Sequence, residues 1–252
     1  GLLDEYAREL RDHLPVPLRA RQRLIPIQEA IQDVHFPKAE ADARLLEQGK
    51  TAAHRRLAFE ELFLLQMALA TRQRSVQEQP KGLKFNPRAP IVDKLSRLLP
   101  FRLTAAQDQV IREIYRDMIS PKPMNRLVQG DVGSGKTVVG LHAIVMACGS
   151  GYQAALMAPT EILAEQHYRN LKGTLETLGL SVVLLRGSDK AAVKKAQAAQ
   201  LASGEVQVAI GTHALIQKGV AFKNLGLAVV DEQHKFGVMQ RKNLIDKGYK
   251  PD

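Results

Sequence analysis

The stretch Gly130-Asp-Val-Gly-Ser-Gly-Lys-Thr137 fills every fixed position of the phosphate-binding pattern G-x-x-x-x-G-K-[ST]. Such a loop restricts the fold severely, because it must lie between a buried strand and a helix whose N-terminus faces the phosphate. The flanks meet that demand. Arg126–Gln129 is a short apolar run suited to a strand, and Val138–Cys148 is apolar enough for a packed helix. The glycines at 130, 133 and 135 let the chain turn tightly, so that the N–H groups around Asp131, Val132 and Ser134 converge on a polyphosphate. Lys136 offers a point charge to the β- and γ-phosphates, and the Thr137 hydroxyl offers a ligand to Mg²⁺. These residues imply a bound nucleoside triphosphate.

The rest of the composition narrows the partners. With 252 residues and 45% apolar content the chain can build one large or two modest cores. No apolar run is long enough to span a bilayer, so no membrane partner is expected. The single cysteine, Cys148, excludes an internal disulfide and points to a reducing, cytoplasmic setting. A formal charge of +10 favours a polyanion through counterion release. Absent Trp and 5% aromatic content disfavour a base-stacking platform.

Two regions follow from the patterning. Residues 1–100 offer no alternating strand and are expected to be helical: a helix over Asp4–His13 stopped by Pro15 and Pro17, another over Ile25–Asp33, and a long stretch over Glu40–Arg74 broken near Gln48–Thr51. Leu57, Phe59, Leu62, Phe63, Leu65, Met67 and Leu69 make the later half of that stretch apolar nearly all round, which suits a helix held between two bodies. Residues 77–90, with three prolines and a glycine, read as a linker loop. Residues 101–252 alternate strand and helix. Strands are expected at 126–129, 154–158, 182–185, 206–210 and 227–230. Helices are expected at 104–119, 137–148, 161–178 and 189–203, the last two capped by Thr160 and Asp189. That order gives an α/β fold with a mainly parallel sheet, its ligands at the carboxyl ends of the strands.

Further candidate groups lie at those ends. Residues 228–234 form an apolar strand closing on Asp231 and Glu232; one carboxylate can face Mg²⁺ while the other reaches toward the γ-phosphate or its attacking water. Strand alternation would set the two on opposite sides of the pleat. Thr104-Ala-Ala-Gln107 is a capping box by its spacing, which the residues favour, while the Gln107 amide could also match an adenine edge. Pro159-Thr160 and Thr212-His213 follow strands, where loop hydroxyls and helix N-termini either grip phosphates or simply cap. His142, His167 and His213 have no metal-ligand spacing among themselves or with Cys148.

Taken together, the segments 127–137, 157–167 (Met-Ala-Pro-Thr-Glu-Ile-Leu-Ala-Glu-Gln-His), 210–215 (Ile-Gly-Thr-His-Ala-Leu) and 231–238 (Asp-Glu-Gln-His-Lys-Phe-Gly-Val) resemble superfamily 2 helicases, and within them the RecG family of branched-DNA motors. The resemblance extends upstream through 99–107, 56–62 and 35–40 and covers most of residues 30–245. The motor of transcription-repair coupling factors is closely similar, but Ser134 and Gln233 fit the RecG family better.

The resemblance implies a RecA-like lobe over 101–252, preceded by an all-α linker region over 1–100. It implies ATP and Mg²⁺ as cofactors and forks or Holliday junctions as partners, handled by a monomer. By the same resemblance Lys136 and Thr137 cradle phosphate and metal, Asp231 holds the metal, Glu232 is the catalytic base and Gln107 reads adenine. Pro159, Thr160, Thr212 and His213 would line the DNA path, and Gln233 with His234 would couple nucleotide state to a second lobe. A second RecA-like lobe with its arginine fingers and an N-terminal wedge domain are expected to lie outside these residues. On that expectation the chain alone binds ATP weakly and hydrolyses it hardly at all. The alternatives are a nucleotide-dependent DNA-docking module without turnover and a metabolic phosphate-loop kinase. The kinase is disfavoured because no acceptor pocket is recognisable in the sequence.

Overall fold

The computed structural model describes residues 6, 9–77, 82–248 and 251–252. It divides into two compact units, residues 1–76 and 77–252. The contact boundary thus falls ahead of residue 100, because the helix Pro90–Leu98 packs on the second unit.

In the first unit, helices α1 (Val16–Gln22), α2 (Ile27–His35), α3 (Ala43–Glu47) and α4 (Ala52–Gln77) follow one another. Leu10–His13 is not helical, and the rest of the helix expected over 4–13 lies largely outside the described residues. Pro15 and Pro17 do not end a helix; Pro15 is the N-cap of α1 and Pro17 stands in its first turn. The physical reason is the asymmetry of proline, which is costly inside a helix but preorganised at its start, where the N–H has no partner to lose. Gly49 (φ +64°) makes the expected break between α3 and α4.

A charge network anchors the unit. Arg56 is fully buried, donating to Glu60 Oε2 at 2.6 Å and Asp12 Oδ1 at 2.8 Å. Asp12 also accepts the N–H groups of Leu14 and Ile27 and pairs with Arg19. Burial opposes ionisation of Asp12, but those two N–H donors and the Arg56 and Arg19 charges outweigh it and hold its carboxyl below the usual range. Farther along α4, Leu62, Leu65, Met67 and Leu69 are exposed.

The second unit carries α5 (Pro90–Leu98), α6 (Ala105–Ile119), α7 (Lys136–Gly149), α8 (Glu161–Thr177), α9 (Ala191–Ser203) and α10 (Val238–Ile245) around a parallel sheet. Its strands are β1 (Gln153–Met157), β2 (Val182–Leu185), β3 (Val208–Gly211) and β4 (Leu225–Val230), in the order β2-β3-β1-β4. Strand residues alternate between two cores. Ala154, Leu156, Val208, Ile210 and Leu227 face one, with α7 and the Ala164-Leu171-Leu175 stripe of α8. Ala155, Met157, Ala209 and Leu225 face the other, with Leu201 of α9 and Leu244 of α10. Burial on both faces is why the strands read as continuous apolar runs.

Three sequence expectations change here. Arg126–Gln129 has no regular secondary structure and joins no ladder, and Leu127 is 72% exposed. An apolar run becomes a strand only beside a partner edge, and the outer edge of β4 is bonded instead by Asp252, which donates to Gly226 O and accepts from Ala228 N. Arg126 is held by Asp117 (2.7 Å) and Glu113 (2.8 Å) of α6. Second, Asp189 does not cap α9; the N-cap is Lys190, and the Asp189 carboxylate takes the Arg186 guanidinium and N–H. Third, the supposed linker over 77–90 is half core: Leu83 and Phe85 are buried, their neighbours Lys84 and Arg88 point outward, and Pro90 opens α5. Residues 78–81 of that linker lie outside the described residues.

Candidate nucleotide site and the family it defines

The candidate residues gather at the carboxyl ends of the strands. The Asp231 N–H donates to Met157 O at 2.9 Å, so the end of β4 is stitched to the end of β1. The Ala158 N–H donates to Gly211 O at 2.9 Å, which ties the Pro159-Thr160 and Thr212-His213 segments to one edge. Gly140, one turn into α7, faces Val229 of β4, so the helix after the phosphate loop lies against the strand leading to Asp231.

Residues 130–135 form an open turn closed by the Ser134 N–H on Asp131 O (3.2 Å), with Val132 wholly exposed at its tip. Gly135, at φ +81°, is the N-cap of α7, a left-handed position that disfavours any residue with a Cβ. The Lys136 ammonium donates to the carbonyls of Gly130 (2.7 Å) and Asp131 (2.8 Å) and so folds back over the cradle. Thr137 follows in the first turn of α7. Gly130 keeps room for Ser134, whose hydroxyl would lie 2.8 Å from a Cβ there.

Gln107 completes the capping box read from spacing: its Oε1 accepts from the Thr104 N–H (2.9 Å), and its own N–H donates to Thr104 Oγ1 (3.2 Å). Spacing did not reveal its third bond, from Nε2 to Ser134 O at 2.9 Å, which fastens the cap of α6 to the phosphate loop.

Asp231 and Glu232 do not alternate across a pleat, because the ladder ends at Val230. Glu232 takes a left-handed turn (φ +48°) and stands exposed, 3.5 Å from His234 Nδ1. Asp231 turns inward. Its Oδ1 accepts the Glu232 N–H at 2.9 Å and its Oδ2 lies 2.8 Å from His167 Nε2. Gln233 and His234 form a short 3₁₀ turn and are exposed. Thr160 caps α8 by accepting the Leu163 N–H (3.3 Å), and Pro159 is half-buried beside it. Thr212 is buried, so the outward group of its pair is His213, which meets Gln240 at 2.7 Å and packs on Phe236.

Among the described residues no three His, Cys, Asp or Glu side chains cluster as a metal site. Also among the described residues, no helix is long and apolar enough to cross a membrane.

A glycine-rich loop opening a helix, a carboxylate pair after an apolar parallel strand and capped segments at the adjoining strand ends have the arrangement of a phosphate-loop domain. The DEAD/DEAH box helicase family matches residues 104–250, and the chain belongs to that family. Over 96% of its length it is 50% identical to the ATP-dependent DNA helicase RecG of Synechocystis sp., and over 99% it is 44% identical to that of Bacillus subtilis. It spans only 28% and 36% of those proteins. A solved structure of RecG bound to a three-way DNA junction superposes with a TM-score of 0.79 at 41% identity, covering 96% of this chain and 32% of that one. The fold of the second unit is RecA-like, preceded by a helical region.

Proposed function

We propose that this chain is the ATP-binding lobe of a DNA helicase that remodels branched DNA. One observation carries the reading: Gly140, one turn beyond the Gly130–Thr137 loop, packs on Val229 of β4, two residues before Asp231 at the carboxyl end of that strand. On nucleotide binding, Lys136 exchanges the Gly130 and Asp131 carbonyls for phosphate oxygens, and the N–H groups of residues 131–136 orient the triphosphate. Thr137 and Asp231 would hold Mg²⁺, which when bound neutralises charge on the β- and γ-phosphates. Glu232, unburied and close to His234, would orient the attacking water and take its proton. Gln107 retains one amide N–H and one lone pair beyond its capping bonds, enough for an adenine edge.

Pro159, Thr160 and His213, with Thr212 behind it, would meet the DNA backbone. Gln233 and His234 would report nucleotide state to a second lobe. The excess of positive charge supports a polyanionic partner, and the similarity to RecG supports branched DNA in particular.

The test is binding of a fluorescent ATP analogue and ATP hydrolysis by the 252-residue chain, with and without forked DNA, beside Lys136→Ala. Mg²⁺-dependent binding lost in the variant supports the reading. Absence of nucleotide binding by the wild type would overturn it.

A further inference from the structure

The inward stripe of α8 runs Ala164, His167, Leu171, Leu175, and His167 is its polar member. Its side chain is 13% exposed, and its Nε2 lies 2.8 Å from Asp231 Oδ2. An ionised carboxylate can only accept, so the imidazole donates the proton of this bond. The other oxygen of Asp231 accepts the Glu232 N–H, and the Asp231 backbone is fixed to Met157 O. The carboxylate is therefore held from three directions: by its own loop, by β1 and by α8. The α8 hold comes from a different element, seven residues beyond the capping Thr160. At 1.5 Å rise per residue that is about 10 Å along one helix. Seven residues is also nearly two full turns, so both positions lie on the same side of α8.

We infer that His167 is a positioning residue for Asp231, and that through it α8 conveys contact at the Pro159-Thr160 end to the nucleotide site. This rests on the assignment of Asp231 and of the strand-end segments under Proposed function. A residue that only plugs the core would serve equally well as an apolar side chain. A positioning residue sets the orientation of the carboxylate and hence the affinity for the cation that accompanies the nucleotide. Loss of such an outer partner costs about 10–100-fold in metal affinity.

The experiment measures the Mg²⁺ concentration giving half-maximal binding of a fluorescent ATP analogue, with and without a short forked DNA. It compares wild type, His167→Ala, His167→Gln and His167→Asn, each checked for its thermal unfolding midpoint. Gln keeps an N–H donor with reach similar to Nε2, whereas Asn stays polar but falls short.

The expected result is a rise of about tenfold or more in the Mg²⁺ midpoint for the Ala and Asn variants, with recovery in Gln. The DNA-induced change in that midpoint should shrink toward onefold in Ala and Asn. An unchanged midpoint in Ala and Asn, or an equal loss in Gln, overturns the positioning role. A DNA effect of the same size in wild type and Ala, or none in wild type, overturns the transmission through α8. If wild type shows no Mg²⁺-dependent nucleotide binding, the proposed function itself falls and this inference with it. Failure confined to the variants leaves that function standing.

Discussion

Gln107 and Ser134 are joined by a hydrogen bond of 2.9 Å that ties the cap of α6 to the phosphate loop, and the side chain passes over Gly135 to make it. The contact explains why the loop needs a glycine at 135 for two independent reasons. Its φ is +81°, and a Cβ there would overlap the Gln107 amide nitrogen.

Gly135→Ala and Gly133→Ala should therefore differ. Both residues have φ +81°, but nothing lies within 4 Å of a Cβ at Gly133. Ala at 133 should cost only the left-handed backbone penalty, about 1–2 kcal/mol. Ala at 135 adds displacement of Gln107 and loss of its bond to Ser134, about 0.5–1.5 kcal/mol more. Denaturant unfolding of the two variants checks the order, and nucleotide affinity should fall further for Gly135→Ala.

Arg56→Met should be severely destabilising to the first unit. The guanidinium is fully buried between Asp12 and Glu60, and removing it strands the Glu60 carboxylate and takes one partner from Asp12. Breaking a buried pair in this way costs about 3–5 kcal/mol. The double variant Arg56→Met, Glu60→Leu, which leaves Asp12 on the Leu14 and Ile27 N–H groups and Arg19, should regain part of that loss. Helical circular dichroism against urea gives the comparison.

Acid should loosen the same unit through Asp12. Its folded-state carboxyl sits below the ordinary value of 3.8, so it releases its proton more readily folded than unfolded. The stabilisation is present in full above that ordinary value and disappears as pH falls through the lower folded one. The stability of Asp12→Asn should be lower at neutral pH and flatter between about pH 5 and pH 2. Equal pH slopes for wild type and variant would refute this.

Cys148 should be inert in the folded chain. Burial pushes its thiol up to about 12, and it lies in the packed end of α7. Alkylation at pH 8 should proceed only as fast as unfolding exposes the thiol, and should become rapid in denaturant. Mass spectrometry of native and denatured samples separates the two cases.

The Gly130–Gly135 turn opening a helix was legible without coordinates because local backbone geometry is dictated by neighbours in the chain. The same holds for the Thr104–Gln107 capping box and for four of the five expected strands, whose apolar runs announce burial on both faces. Roles that depend on a partner distant in sequence were not legible. Arg126–Gln129 has the composition of a strand, but ladder bonds require an adjacent edge, and composition carries no information about which edges meet. Asp189 failed for a different reason: its partner Arg186 is only three residues away, and spacing alone does not rank that pair against a helix cap.

His167 left one trace, a histidine in an otherwise apolar stripe, which by itself signals burial and not a partner. Only the tertiary structure sets it on Asp231, and Gln107 on Ser134, since both bonds join elements far apart along the chain. The chain sequence by itself thus determined the chemistry on offer, through residue types and local spacing. The fold decided which of those groups meet, because hydrogen bonds and burial act over a few ångströms of space whatever the separation along the chain.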